Sequence, residues 1–225
     1  DGDTLEWIGR FLARLHTVGA RRPFAHRPAV DVHGYAIEPR QWLLAHGALP
    51  LEAERAWADA SQDAIDSIAA CAQWTGARAG IDPDPAGLAT LRLHADCHVG
   101  NILWTPADRP GGGPHFVDLD DCRGGPAVQD LWMLLAGERA ECQRQLGALL
   151  DGYEQVRDFD RRELALIEPL RTLRLIHHSA WIARRWDDPA FPAAFTGFGT
   201  PDYWRGQTQL LREQIDAMAA PPLVA

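Results

Sequence analysis

The sequence predicts a mainly α-helical chain with one small β insertion at its centre, an α+β fold, and three observations carry that expectation. Apolar residues recur every three or four positions over most of the chain, as in Leu5, Ile8, Leu12 and Leu15. Between residues 91 and 118 the character changes, because Leu91-Arg92-Leu93-His94 alternates with period two and two short apolar runs follow. Thr105 to Pro114 is dominated by Gly and Pro, the composition of a hairpin connection.

In chain order, Thr4 is expected to cap a first helix over about Leu5 to Val18. Arg21 to Tyr35, with Pro23, Pro28 and scattered histidines, reads as a loop, and Pro39 then opens a short helix through Trp42 and Leu44. The Ala-rich stretch Leu51 to Trp74, with Ile65, Ile68 and Cys71, reads as a long helix ended by Ile81-Asp82-Pro83-Asp84-Pro85. Strands are expected at Leu91 to His94, Ile102 to Trp104 and His115 to Asp118. Helices return at about Val128 to Leu135, Glu138 to Val156, Asp160 to Arg185 and Pro201 to Ala219. Two of these starts carry explicit signals, Asp160 with Glu163 as a capping box and Thr200 before Pro201. No repeat or long linker divides the chain, so residues 1–225 are treated as one domain.

The 225 residues carry a net charge of −9, which repels a phosphate backbone and argues against a nucleic-acid partner. None of the basic residues is Lys, so all 22 are Arg. The longest apolar runs, such as Leu131 to Ala136, are far below the roughly 18 residues that span a bilayer, so no membrane span is expected. The first residues have no basic or apolar leader segment, so no signal peptide is expected. Cys71, Cys97, Cys122 and Cys142 are too scattered for a zinc clip and fit reduced thiols in a cytoplasmic protein.

Polar functional groups concentrate in the β insertion: His94-Ala95-Asp96-Cys97-His98-Val99-Gly100-Asn101, then Phe116-Val117-Asp118-Leu119-Asp120-Asp121. A strand ending in His-x-Asp, four residues, Asn, then a hairpin to another Asp matches a kinase catalytic loop and metal-binding loop. Phosphoryl transfer needs one carboxylate to orient the attacking hydroxyl and accept its proton. It also needs an amide oxygen and a second carboxylate to hold Mg²⁺ against the phosphates. Asp and Asn are common in turns, where they bond their own backbone. That accounts for each residue singly, but not for the ordered set.

The segments His94 to Trp104 and Phe116 to Leu135 resemble the stress response kinase A (YihE/RdoA) type, within the aminoglycoside-phosphotransferase-like branch of the protein-kinase-like fold. The likeness extends to Ile8 through His16, His26-Arg27-Pro28, Ile37 to Arg40, Ile167 to Arg171, Arg184-Arg185-Trp186, Asp188 to Pro192 and Asp202-Tyr203-Trp204. The resemblance implies a protein-kinase-like C-terminal lobe with its catalytic loop at 94–101 and its metal-binding loop at 116–121. It implies Asp96 as catalytic base and Asn101 and Asp118 as Mg²⁺ ligands, Asp118 being counted with the catalytic groups and both with the cofactor site. The activity implied is ATP- and Mg²⁺-dependent phosphorylation of Ser/Thr on a protein substrate, in the bacterial cytoplasm, under envelope and oxidative stress. The family's N-terminal lobe, with its nucleotide-binding strands and phosphate-pairing lysine, has no counterpart in these residues, so the chain alone is expected to be inactive. Where the family usually has Gly, Ala95 stands. If φ is positive there, its Cβ costs about 1 kcal/mol.

Among neighbouring groups, Asp130 is expected to support the catalytic loop from beneath and His94 to pack and hydrogen-bond. His98 either orients the loop or faces substrate, and Asp120 and Asp121 either serve the turn or add a metal contact. His177-His178 reads as ordinary packing or surface. Three alternatives stay open: a small-molecule kinase for an aminoglycoside, choline or homoserine-like alcohol; a hydrolase holding Zn²⁺ on His94, Asp96 and His98; and a non-catalytic binding module.

Overall fold

The computed structural model describes residues 2–71, 88–106 and 108–225, and these form two compact units. Among the described residues the chain passes between them at Val30–Asp31, Ile167–Glu168 and Pro221–Pro222, and the first two do not have the composition of a linker.

The first unit is built on two helices, α1 (Gly2–Gly19) and α5 (Arg139–Tyr153). They approach closely because each presents a glycine to the other's backbone. A Cβ at Gly9 would overlap the Leu149 carbonyl, and one at Gly152 would overlap the carbonyl of Glu6. α1 buries Ile8, Leu12, Ala13 and His16, so that of the stripe read from the spacing Ile8 and Leu12 are buried while Leu5 and Leu15 are half-buried. Thr4 lies inside the helix and is therefore not its cap.

Beside these helices stand two antiparallel pairs. β1 (Leu91–Leu93) pairs with β4 (Arg123–Gly125), Leu91 opposite Gly125, and β2 (Ile102–Thr105) pairs with β3 (Gly113–Phe116), Ile102 opposite Phe116. β3 sits two residues earlier than the sequence suggests because Asp118 takes a left-handed backbone conformation that no strand accommodates. The hairpin expected at 105–114 is present. β4 has no β-favouring side chain to announce it. It is held instead by its neighbours, Val30 N–H donating to the Gly124 carbonyl at 2.8 Å and Gly124 N–H to that of Pro28 at 3.2 Å.

After β4 comes one turn of helix, α4 (Gln129–Trp132). The helix expected through Leu135 continues only as tighter turns, since the N–H groups of Leu134 and Leu135 bond three residues back. Residues expected to form one helix from Asp160 divide into a 3₁₀ segment, Arg161–Leu166, and α6, Ile167–Ala183. Pro169 marks the division, because proline is tolerated in the first turn of an α-helix and not in its interior.

The second unit contains a π-type turn at His33–Ile37, α2 (Glu38–Ala45), α3 (Leu51–Ala70), α6 beyond Ile167, α7 (Ala190–Ala194) and α8 (Pro201–Ala219). Its centre is aromatic: Trp57 of α3 meets Trp204 of α8 edge to face at 5.4 Å, and Tyr35 stacks on His177 at 4.4 Å. The Thr200 hydroxyl accepts from Tyr203 N–H at 3.2 Å, the cap its position predicts. Trp74 and the expected stop from Ile81 to Pro85 lie outside the described residues. No helix among the described residues is long and apolar enough to cross a membrane.

Candidate active site

β1 ends at Leu93 because the next two backbone N–H groups leave the ladder. His94 N–H donates to Asp130 Oδ2 at 2.9 Å and Ala95 N–H to Asp130 Oδ1 at 2.7 Å, so one buried carboxylate takes both. Gln129, the preceding residue of α4, completes the clamp by donating from Nε2 to the Ala95 carbonyl at 2.8 Å. Trp132 Nε1–H donates to Gln129 Oε1 at 3.0 Å and so fixes which end of that amide faces Ala95. Ala95 is thereby held at φ 68°, the left-handed conformation for which glycine is the usual residue. Asp130 does support the loop from beneath, as its position in the sequence suggests.

Behind Asp130 is a buried relay from the first unit's helices. His16 Nε2–H donates to Asp130 Oδ2 at 2.9 Å, which leaves Nδ1 to accept the Tyr153 hydroxyl proton at 2.9 Å. Burial pushes the Tyr153 phenol well above its ordinary range, so it remains a donor.

The 94–101 and 116–121 loops are joined through Asn101 and Val117. Asn101 is buried, and its Nδ2 donates to the Asp96 carbonyl at 3.0 Å, with the Asp96 carboxylate at 3.5 Å. Its carbonyl accepts from Val117 N–H at 3.0 Å, while His94 Nε2–H donates to the Val117 carbonyl at 2.8 Å. Both polar backbone groups of Val117, the residue before Asp118, are therefore fixed by the other loop. Asp118 then turns left-handed, φ 60° and ψ 66°, and its side chain is exposed. Ala95 and Asp118 are the two non-glycine residues with positive φ among the described residues, and both lie in these loops. Such strain persists only where surrounding contacts impose it, and it gathers at functional sites.

His98 orients the loop: its Nδ1 accepts from Gly100 N–H at 3.0 Å, so Nε2 carries the proton and faces Asp96 Oδ2 at 3.6 Å. A Cβ at Gly100 would stand 2.8 Å from the His98 ring, which is why glycine occupies that position. The zinc-hydrolase alternative finds no support in this geometry, since no group of three or more His, Cys, Asp or Glu side chains among the described residues is placed to hold a metal ion.

Asn101 commits its Nδ2 to the Asp96 carbonyl and so leaves its amide oxygen available, and Asp118 adds an exposed carboxylate. Two hard oxygens of this kind suit Mg²⁺, which typically takes one or two protein ligands and completes its shell with phosphate and water. Arg27, which the sequence presents only as part of a loop motif, holds the second loop from outside by donating to the carbonyls of Asp120 and Cys122. Gln129, His16 and Glu163 are likewise invisible in the sequence as site residues, because their partners lie 34 or more positions away.

The model of the phosphotransferase enzyme family matches residues 1–167. A relative from Salmonella typhimurium, named serine/threonine protein kinase RdoA, is 44% identical over 98% of this chain and 62% of its own length. Stress response kinase A of Escherichia coli is 42% identical over the same shares. The chain thus spans 62% of the length of the curated relatives it matches. Among solved structures, an amicoumacin kinase in complex with AMP-PNP, Ca²⁺ and Ami superposes with a TM-score of 0.62 at 17% identity, over 100% of this chain and 61% of the other. A microcompartment-associated aminopropanol kinase also gives 0.62 at 18% identity, over 98% and 65%.

Proposed function

The chain belongs to the phosphotransferase enzyme family, and we propose that its two joined loops transfer the γ-phosphoryl group of ATP to a Ser or Thr hydroxyl of a protein, the residues described here forming the lobe that carries the catalytic loop. The observation that carries this reading is the link through Asn101 and Val117, which ties the backbones bearing Asp96 and Asp118 into one hydrogen-bonded unit. Asp96 accepts the acceptor hydroxyl's proton as its oxygen bonds to the γ-phosphorus and ADP leaves. His98 presents Nε2–H toward that carboxylate at 3.6 Å. The Asn101 amide oxygen and Asp118 carboxylate are the groups that would hold Mg²⁺, whose charge offsets that of the phosphates when it is bound.

The choice of a protein acceptor is supported by relatives above 40% identity named as stress-response or Ser/Thr kinases. Single-turnover phosphotransfer by the active enzyme carrying Asp96→Asn tests it. The expected result is a roughly 10²- to 10⁴-fold fall in rate with nucleotide affinity little changed. Turnover near that of the unaltered enzyme would remove Asp96 from the mechanism, and a preference for a small alcohol over protein would replace the acceptor.

A further inference from the structure

Apart from Asp130 beneath the loop, the most deeply buried carboxylate among the described residues is Glu163, on the 3₁₀ segment Arg161–Leu166 and 3% exposed. Its sequence context suggests a capping box with Asp160, and it does not form one. Asp160 caps the segment by accepting from Arg162 N–H at 3.0 Å, while Glu163 turns inward. Its Oε2 accepts from Val128 N–H at 2.8 Å, and the Ala127 N–H also bonds to this carboxylate. Val128 is the residue from which α4 starts, and the next two residues, Gln129 and Asp130, hold the carbonyl and N–H groups of Ala95.

We propose that Glu163 is a positioning residue for the catalytic loop, fixing Asp96 through Val128, the Gln129–Asp130 clamp and the left-handed Ala95. The proposal rests on the reading of residues 94–101 as that loop. A hydrogen-bond path of four residues joins Glu163 to Ala95. Strain at Ala95 is what makes the path matter: a left-handed alanine relaxes toward ordinary φ unless both peptide groups around it are held.

The ionised carboxylate can accept both N–H groups, whereas the acid turns one oxygen into a donor and loses an acceptor. Burial pushes the Glu163 carboxyl up to about 7, with Asp160 raising it further and Arg157 and the Val128 and Ala127 amides lowering it. Glu163 also faces Tyr153 on α5, held protonated by burial, which in turn senses Asp130 of α4. Order in the catalytic loop is therefore expected to grow as pH rises through about 7.

The test is a ¹⁵N amide titration of this 225-residue chain between about pH 5.5 and 8.5. The amides of Ala127, Val128, Ala95 and Asp96 are expected to shift with one shared midpoint, and Glu163→Gln to abolish that midpoint while Trp204 in the second unit keeps its shift. Gln129→Leu is expected to leave the titration at Val128 and weaken it at Ala95. In the active enzyme, Glu163→Gln should lower kcat about tenfold or more and flatten its pH profile near neutrality, with KM for ATP within about twofold. Titration at Val128 without any at Ala95 and Asp96 would overturn the proposal, leaving Glu163 a local anchor. A midpoint that survives in Glu163→Gln would assign the titration to another group and overturn the proposal equally. Loss of the amide coupling counts against Glu163 alone, whereas an active Asp96→Asn enzyme counts against the catalytic reading.

Discussion

At Ala95 two opposed effects act on one methyl group. The left-handed backbone costs an alanine about 1–2 kcal/mol, while its buried methyl returns about 0.8 kcal/mol and glycine would bring extra chain entropy of about 0.5–1 kcal/mol. Ala95→Gly is therefore expected to change stability by less than about 1 kcal/mol. Ala95→Val adds a β-branched side chain to both the strained backbone and the packed site, and should cost at least about 2 kcal/mol. Urea unfolding of both variants decides it, and a valine variant as stable as the alanine chain would show that φ at this position relaxes freely. Glu163 offers a second measurement. Its folded-state value near 7 lies above its ordinary 4.5, so its contribution to stability is complete below about pH 4.5 and is lost as pH rises through about 7, on the order of 3 kcal/mol in all. The drop in urea midpoint between pH 5 and 8 is thus expected to shrink in Glu163→Gln, and an unchanged drop would remove Glu163 as its source. That Asp96, Asn101 and Asp118 fall on two adjoining loops was legible in the sequence because their types and order are local. Glu163 was not, because the same Asp-x-x-Glu spacing serves a helix cap or a buried anchor, and only tertiary packing distinguishes them.

Elements whose side chains repeat with a clear period were legible, as the agreement at α1, α3 and α8 shows, while those made by neighbours were not. β4 consists of Arg-Gly-Gly, and its strand conformation comes from Leu91–Leu93 on one side and the Pro28–Val30 segment on the other. The single turn of α4 is likewise defined by what grips it, Glu163 at its start and Ala95 on its face. The pairing of α1 with α5 is where an element matters most to the site, since these helices supply His16 and Tyr153 to the relay behind Asp130. Glycine at positions 9 and 152 allows their close approach, and the obstacles a Cβ would meet are backbone carbonyls that have no rotamer to change. Gly152→Ala is expected to destabilise by about 1–3 kcal/mol or more, and to weaken the protection of the Asp130-bonded amides of His94 and Ala95 in hydrogen exchange. Unchanged protection at those amides would mean that the helix pair and the loop are independent.

Over the whole molecule, the division into two units was not legible, because the crossings at Val30–Asp31 and Ile167–Glu168 carry none of the Gly, Pro or Ser that marks a linker. The charge balance was legible, and it bears on how the proposed site meets nucleotide. ATP brings several negative charges to a chain whose own net charge is −9. The groups gathered at the two loops are themselves oxygens: the Asp96 and Asp118 carboxylates and the Asn101 amide, with Asp120 and Asp121 exposed beside them. The arginines closest in sequence or contact are already engaged, Arg27 with the Asp120 and Cys122 carbonyls and Arg123 with Asp121 at 3.8 Å. No lysine exists anywhere in the chain to pair with the phosphates, the role that an ammonium group ordinarily fills in phosphoryl transfer. Magnesium can neutralise only part of the triphosphate. These 225 residues are accordingly expected to bind Mg·ATP no tighter than about millimolar, roughly −4 kcal/mol, and more weakly still when Asp118 is replaced by Ala. Calorimetric titration measures both. Micromolar binding would mean that arginines form a phosphate site within this chain, and equal affinity in the Asp118→Ala variant would place the metal elsewhere.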